Sequence, residues 1–253
     1  MDEYYKKIFG CIDNTTLEGC DTKEKVRMLC EKSLKMVDPE RGIRPVAAVC
    51  VYPIFVREAS ELLQGSGIHV ASVAGGFPAG QTPLKVKLME VQYAVDEGAD
   101  EIDMVISRGA LIEGDEQRVA DEIKAIREVC VGKRLKVILE TGELPSEALI
   151  RRASIIAMEN GADFIKTSTG KIEKSATLEV AKIMLQSIVE YHEMSGKWVG
   201  FKAAGGISTP EQALSYWELA QQYIGEEHLN KQYFRIGASR LTDRLFSFLT
   251  SKC

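Results

Sequence analysis

Eight short runs of β-branched and aliphatic residues recur along these 253 residues, each followed by a longer amphipathic stretch. They begin near Ile8 (IFGCID), Val46 (VAAVCVYP), His69 (HVASVAGG), Glu101 (EIDMVIS), Leu135 (LKVILET), Asp163 (DFIKTST), Trp198 (WVGFKAAG) and Tyr233 (YFRIGAS). Strand-then-helix alternation predicts parallel strands joined by crossover helices. Eight such units favour a closed (β/α)8 TIM barrel, one α/β domain over residues 1–253, above the competing doubly wound open sheet. After Asp21 the pattern is helical, with apolar Val26, Leu29, Cys30, Leu34 and Val37 near i, i+3, i+4 spacing. Thr82-Pro83, Asp115, Ser146, Ser175 or Thr177, and Thr209-Pro210 read as further helix starts.

Composition excludes several classes. Hydrophobic residues make up 45% and charged residues 27%, ordinary globular values that exclude a disordered or fibrous chain. The net charge is -5 and no dense basic run occurs, so a nucleic-acid surface is not indicated. The N-terminus, MDEYYKKIFG, lacks the apolar segment of a signal peptide. The longest apolar run, Val46 to Val56, is interrupted by Pro53 and too short to span a bilayer. None of Cys11, Cys20, Cys30, Cys50, Cys130 and Cys253 forms a C-x-x-C pair. A cytoplasmic location with reduced thiols is expected.

In a barrel the active site sits at the C-terminal ends of the strands. Polar residues near those ends are Asp13, Thr15, Cys50, Asp103, Glu140, Thr141, Lys166 to Thr169, Lys202 and Ser239. Three are charges set within apolar strands. Strand side chains alternate in direction. If Ile102 and Met104 face the helices, Asp103 faces the interior, and the same alternation turns Lys166 and Lys202 inward. A lone strand Lys usually lies at an edge or snorkels to water. A closed barrel has no edge, so two inward Lys and one Asp share a single location.

That location suits one chemistry. Attack on a carbonyl needs a neutral amine, and a free Lys, with a pKa near about 10.4, is almost wholly charged at neutral pH. Burial and a second ammonium both disfavour the charge. A nearby carboxylate can move protons, directly or through water. The set favours Schiff-base chemistry on an aldehyde or ketone, with Lys166, Lys202 and Asp103 as catalytic residues. The loops after the last two strands add Gly205-Gly206 and Gly237 to Ser239, each leading into a helix. Such turns bind phosphate, and these are the loops that commonly do so in barrels. The histidines, His69, His192 and His228, show no metal-ligand spacing, and the last two read as surface residues.

Several motifs together resemble one family. IDNTTL (12–17), CVYP (50–53), GADEIDMV (98–105), LKVILETGEL (135–144), ADFIKTSTGK (162–171), GFKAAGGI (200–207) and RIGAS (235–239) match class I deoxyribose-phosphate aldolases of the longer bacterial type along almost the whole chain. The resemblance implies reversible cleavage of 2-deoxy-D-ribose 5-phosphate to D-glyceraldehyde 3-phosphate and acetaldehyde in deoxyribonucleoside catabolism, with no cofactor and no metal. It makes Lys166 the Schiff-base lysine, Lys202 the residue that lowers its pKa and helps relay protons, and Asp103 the proton donor and acceptor. Phosphate contacts fall on Gly170, Lys171, Gly205, Gly206, Gly237 and Ser239. Asp13, Thr15 and Thr169 match hydroxyl and substrate contacts, Cys50 an active-site cysteine, and Lys136 a polar residue near the barrel floor. The partners implied are a phosphorylated sugar and acetaldehyde, without nucleic acid or membrane; a homodimer is admitted, the oligomeric state being open.

The chain departs from that pattern in three places. Longer members often carry a second serine where this chain has Arg240, and an Arg where it has Ser208. A basic residue has changed loops, and the pocket is expected to stay cationic. Some members end in a Tyr that assists proton exchange, whereas this chain ends Ser-Lys-Cys, so slower turnover is expected. Another Schiff-base barrel lyase on a different sugar phosphate, or a silent sugar-phosphate-binding barrel, are the alternatives.

Overall fold

A computed structural model describes residues 2–251. The C-terminal departure and Cys253 lie outside the described residues. The strands are β1 Ile12–Thr15, β2 Ala48–Val51, β3 His69–Ala74, β4 Glu101–Val105, β5 Arg134–Ile138, β6 Phe164–Lys166, β7 Gly200–Ala204 and β8 Phe234–Ala238. Each pairs in parallel with the next, and β8 pairs with β1, so the sheet closes. Around it lie α1 Asp2–Phe9, α2 Lys23–Lys35, α3 Val56–Leu63, α4 Leu84–Asp96, α5 Arg108–Ile112, α6 Glu116–Val129, α7 Glu147–Glu159, α8 Leu178–Ser195, α9 Pro210–Ile224 and α10 Leu241–Ser251. The expected (β/α)8 barrel is present.

Local signals act largely as expected. Thr22, Asp115, Ser146, Thr177 and Thr209 each accept a backbone N–H of the first helical turn, Thr209 within a full capping box. Of the two starts offered for α8, Thr177 is used. Three expectations need correction. The run from Ile8 is not all strand: Ile8 and Phe9 end α1, where Tyr5, Ile8 and Phe9 form a buried i, i+3, i+4 face. Pro83, not Thr82, occupies the cap position of α4, without a side-chain cap. In α2, Leu34 is exposed and Ser33 is buried, because the Ser33 hydroxyl accepts from Asn14 Nδ2 at 3.0 Å across the strand–helix boundary.

Alternation divides the strand residues in two. Ile102, Met104, Leu135, Val137, Ile165, Phe201, Phe234 and Ile236 join the large apolar core between sheet and helices. The interior is different. Ala48, Cys50, Ala71 and Val73 make a small apolar patch with Leu17, while Asp13, Glu101, Asp103, Lys136, Lys202 and Arg235 are all fully buried. Most barrels fill this space with branched apolar side chains; here long cationic stems and carboxylates fill it.

Glycine makes the room. A Cβ on Gly200 would stand 2.4 Å from the Phe164 ring, and one on Gly237 would stand 3.1 Å from Lys202 Cε. Phe164 is wholly buried, so its ring cannot swing into solvent. Gly200→Ala is therefore expected to destabilise the fold by about 1–3 kcal/mol through overpacking. Urea denaturation followed by circular dichroism checks this, and an unchanged midpoint contradicts it.

Candidate active site

Asp103 lies on β4 beside Lys136 on β5, and Lys166 on β6 lies beside Lys202 on β7. Registry therefore brings the long side chains to one place, and Asp103 collects them. Its Oδ1 accepts from Lys136 at 2.6 Å, and its Oδ2 accepts from Lys166 at 2.8 Å and Lys202 at 2.7 Å. Lys166 and Lys202 thus share one acceptor oxygen. Both point inward, as alternation requires.

The network continues below. Lys202 also donates to Asp13 Oδ2 at 2.5 Å, and Arg235 donates to Asp13 Oδ1 at 2.5 Å and to Glu101 Oε1 at 2.8 Å. Lys136 reaches Glu101 Oε2 at 2.5 Å. Arg134, at 2.7 Å, and His69, at 2.8 Å, reach Glu101 Oε1 from the partly exposed end of the barrel.

Electrostatics separate the lysines. Burial, then the Lys202 charge, holds Lys166 below the ordinary lysine range against the pull of Asp103. Lys202 is just as buried, but Asp103 and Asp13 overcome the desolvation and hold it above that range. Lys136, between Asp103 and Glu101, is likewise raised against its burial. Burial opposes the charge on Asp103, yet Lys136, Lys166 and Lys202 hold its carboxyl well below the usual range. Asp13, opposed by burial, is brought down to about 2 by Arg235 and Lys202. Desolvation therefore leads over the neighbouring cation in lowering Lys166, and Asp103 rests as a firmly ionised counter-ion.

Above the amines opens a cavity of about 250 Å³ lined by Thr15, Lys166, Thr169 to Lys171, Gly205, Gly206, Ser208 and Gly237 to Arg240. Lys166 is the one network lysine at its wall. Gly205 and Gly206 hold φ of 90° and 81°, conformations suited to glycine. Arg240 and Ser208 line the same cavity, so the cation and the residue standing in its usual place face one space. Arg244 of α10 reaches Ser208 O at 3.2 Å, and Lys171 pairs with Glu18 at 2.9 Å.

The comparisons with known proteins bear on this arrangement. The model of the "DeoC/LacD family aldolase" matches residues 8–229. The chain belongs to this aldolase family. It is 45% identical over 241 residues to the deoxyribose-phosphate aldolase of Homo sapiens and 46% over 241 residues to that of Mus musculus. Each match covers 91% of this chain and 76% of the relative. The tetrameric deoxyribose phosphate aldolase of Aeropyrum pernix superposes with a TM-score of 0.76 at 26% identity, over 98% of this chain and 93% of that one.

Within this aldolase four expected positions look different in three dimensions. Asp13, expected to touch substrate, is buried with both oxygens committed to Lys202, Arg235 and the more distant Lys136. Cys50 is buried in the interior apolar patch, and burial pushes its thiol up. His192 and His228 are half-buried rather than on the surface: the His192 ring stacks on Trp198 with centroids at 3.9 Å, and the His228 ring lies tilted against it at 4.4 Å. Sequence reasoning missed Glu101 and Arg235 altogether. Alternation along EIDMV and FRIGA was the available signal, since Glu101 shares the inward face with Asp103, and Arg235 with Gly237.

Lys202→Leu removes a cation from beside Lys166 and leaves Asp103 freer to stabilise the Lys166 ammonium. Both changes raise the Lys166 pKa. The pH at which Lys166 reacts with a carbonyl is expected to move upward, and turnover to fall about a hundredfold. A pH series of reductive trapping checks this; an unmoved or lowered midpoint refutes it.

Proposed function

We propose that this chain is a class I aldolase that cleaves 2-deoxy-D-ribose 5-phosphate to D-glyceraldehyde 3-phosphate and acetaldehyde, reversibly. One observation carries the reading: a lysine with lowered pKa stands at the wall of a glycine-lined cavity, over a carboxylate shared with two other ammonium groups.

In this reading neutral Lys166 attacks C1 of the open-chain sugar, and loss of water leaves a protonated imine. The C3 hydroxyl gives up its proton, the C2–C3 electron pair flows into the imine, and glyceraldehyde 3-phosphate departs. The enamine left on Lys166 takes a proton at C2, and water releases acetaldehyde. Asp103, with Lys202 beside it, relays the protons through water. Because Asp103 holds its charge so firmly, the proton rests on Lys202, and Asp103 passes it on. The phosphate sits among Gly170, Lys171, Gly205, Gly206, Gly237 and Ser239, with Arg240 supplying charge, while Thr15 and Thr169 face the sugar hydroxyls. Asp13 serves by fixing Lys202. No described helix is long and apolar enough to cross a membrane, and we place the enzyme in the cytoplasm. Val86, Met89 and Tyr93 form an exposed stripe on α4, which supports the homodimer.

Acetaldehyde with borohydride is expected to add one ethyl group to the protein at Lys166, located by peptide mass analysis. Lys166→Ala is expected to abolish both labelling and acetaldehyde release from deoxyribose 5-phosphate. Labelling at Lys202 or elsewhere overturns the assignment. Sedimentation at twice the chain mass supports the dimer, and a monomer mass overturns it.

A further inference from the structure

Glu140 follows β5 and belongs to no part of the reaction described above. It is the sole non-glycine residue with positive φ among the described residues, at φ 52° and ψ 55°. A left-handed backbone at a residue this large is uncommon and points to a local demand. Backbone pairing brackets it: Leu139 donates to Lys166 O at 3.0 Å, and Thr141 donates to Thr167 O at 3.0 Å. The two strands stay zipped on either side while the left-handed turn aims the Glu140 side chain at the loop after β6.

That side chain is fully buried and grips one residue. Its Oε1 accepts from Thr169 N–H at 3.2 Å, and its Oε2 accepts from the Thr169 hydroxyl. The hydroxyl in turn accepts from Lys171 N–H at 3.1 Å. A threonine hydroxyl has one proton to give. Glu140 takes it, which leaves a lone pair facing Lys171 and folds Thr169 to Lys171 into a tight turn. Gly170, at φ 76°, sits at the centre of that turn, and a Cβ built on it would lie 3.7 Å from Gly205 Cα. The two glycine loops of the cavity thus meet at this turn.

We propose that Glu140 is a positioning residue that latches the Thr169–Lys171 turn, and so sets the phosphate-binding shape of the cavity through Thr169. The inference rests on the sugar-phosphate reading above. It also assigns the Thr169 hydroxyl proton to Glu140, so Thr169 offers substrate only a lone pair. Gln at position 140 reverses one bond, since an amide NH2 donates where Oε2 accepts. Gly relieves the backbone but removes the latch.

The test measures KM and kcat for deoxyribose 5-phosphate and for unphosphorylated deoxyribose in the parent, Glu140→Gln and Glu140→Gly. Loss of one buried charge-assisted hydrogen bond is expected to raise KM for the phosphorylated sugar about tenfold in each variant, with kcat and the KM of the free sugar nearly unchanged. Reductive trapping of acetaldehyde at Lys166, which needs no phosphate, reports that each variant is folded and competent. Parent-like kinetics in Glu140→Gly would reduce Glu140 to a backbone role and overturn the latch. So would a parent-like KM in Glu140→Gln, or equal losses with both sugars. A parent that treats the two sugars alike overturns the phosphate reading itself and the latch with it, a result distinct from a discriminating parent with silent variants.

Discussion

A single carboxylate, Asp103, itself without water-facing surface, accepts from three lysine side chains. Around it the buried charges do not balance: Asp13, Glu101 and Asp103 face Lys136, Lys166, Lys202 and Arg235. One proton is in excess, and the contacts decide which group gives it up. Arg235 cannot deprotonate in a protein. Lys136 lies between Asp103 and Glu101, and Lys202 between Asp103 and Asp13, so each is held by two carboxylates at close range. Lys166 touches Asp103 alone. It is the group whose neutral form leaves the cluster balanced, and it is the one at the cavity wall. The nucleophile proposed above is thus singled out by its counter-ions as much as by proximity to a cation.

Such a cluster is expensive to bury, several kcal/mol of desolvation for each ion even after relaxation, and the rest of the barrel is shaped around it. Small residues on β2 and β3 and the glycines of β7 and β8 leave the volume that four long stems need. Cohesion comes from the separate apolar layer between strands and helices. The interior can therefore carry charge because the exterior of the same strands carries the core. Removing any one partner strands another charge in a dry place, so the members of the network differ in chemical role but share a structural one.

The barrel was legible because eight repeats of one pattern reinforce each other, and the inward placement of Asp103, Lys166 and Lys202 followed from strand alternation alone. What escaped was whatever depends on more than one segment. Ile8 and Phe9 look like the start of a strand until the helical face they share with Tyr5 is recognised. Leu34 belongs inside by hydropathy, yet Ser33 is inside because Asn14 needs a partner there. Asp13 reads as a substrate contact at a strand end, and only the fold shows Arg235 and Lys202 occupying it. Glu101 and Arg235 sit on inward positions that alternation marks, but a charge at the first residues of a strand reads as a solvated end. The family match carried the rest, and it could not say that Asp13 is already engaged.

The two halves of the site tolerate change differently, and the departures at Ser208 and Arg240 follow from this. Phosphate at glycine turns and helix N-termini is held by backbone N–H groups, which any sequence with the right φ can present. The added cation acts over several ångströms at an exposed edge, where water screens it and its exact origin matters little. Arg240 after β8 can thus stand in for a basic residue after β7, and Arg244 can bind Ser208 from α10 without closing the cavity. Nothing comparable holds below. A cation moved from Lys202 to another strand would lose its place between Asp13 and Asp103, change the charge count around Lys166, and weaken what holds the pKa of that amine down. Freedom at the rim and rigidity at the amine are both consequences of where the water is.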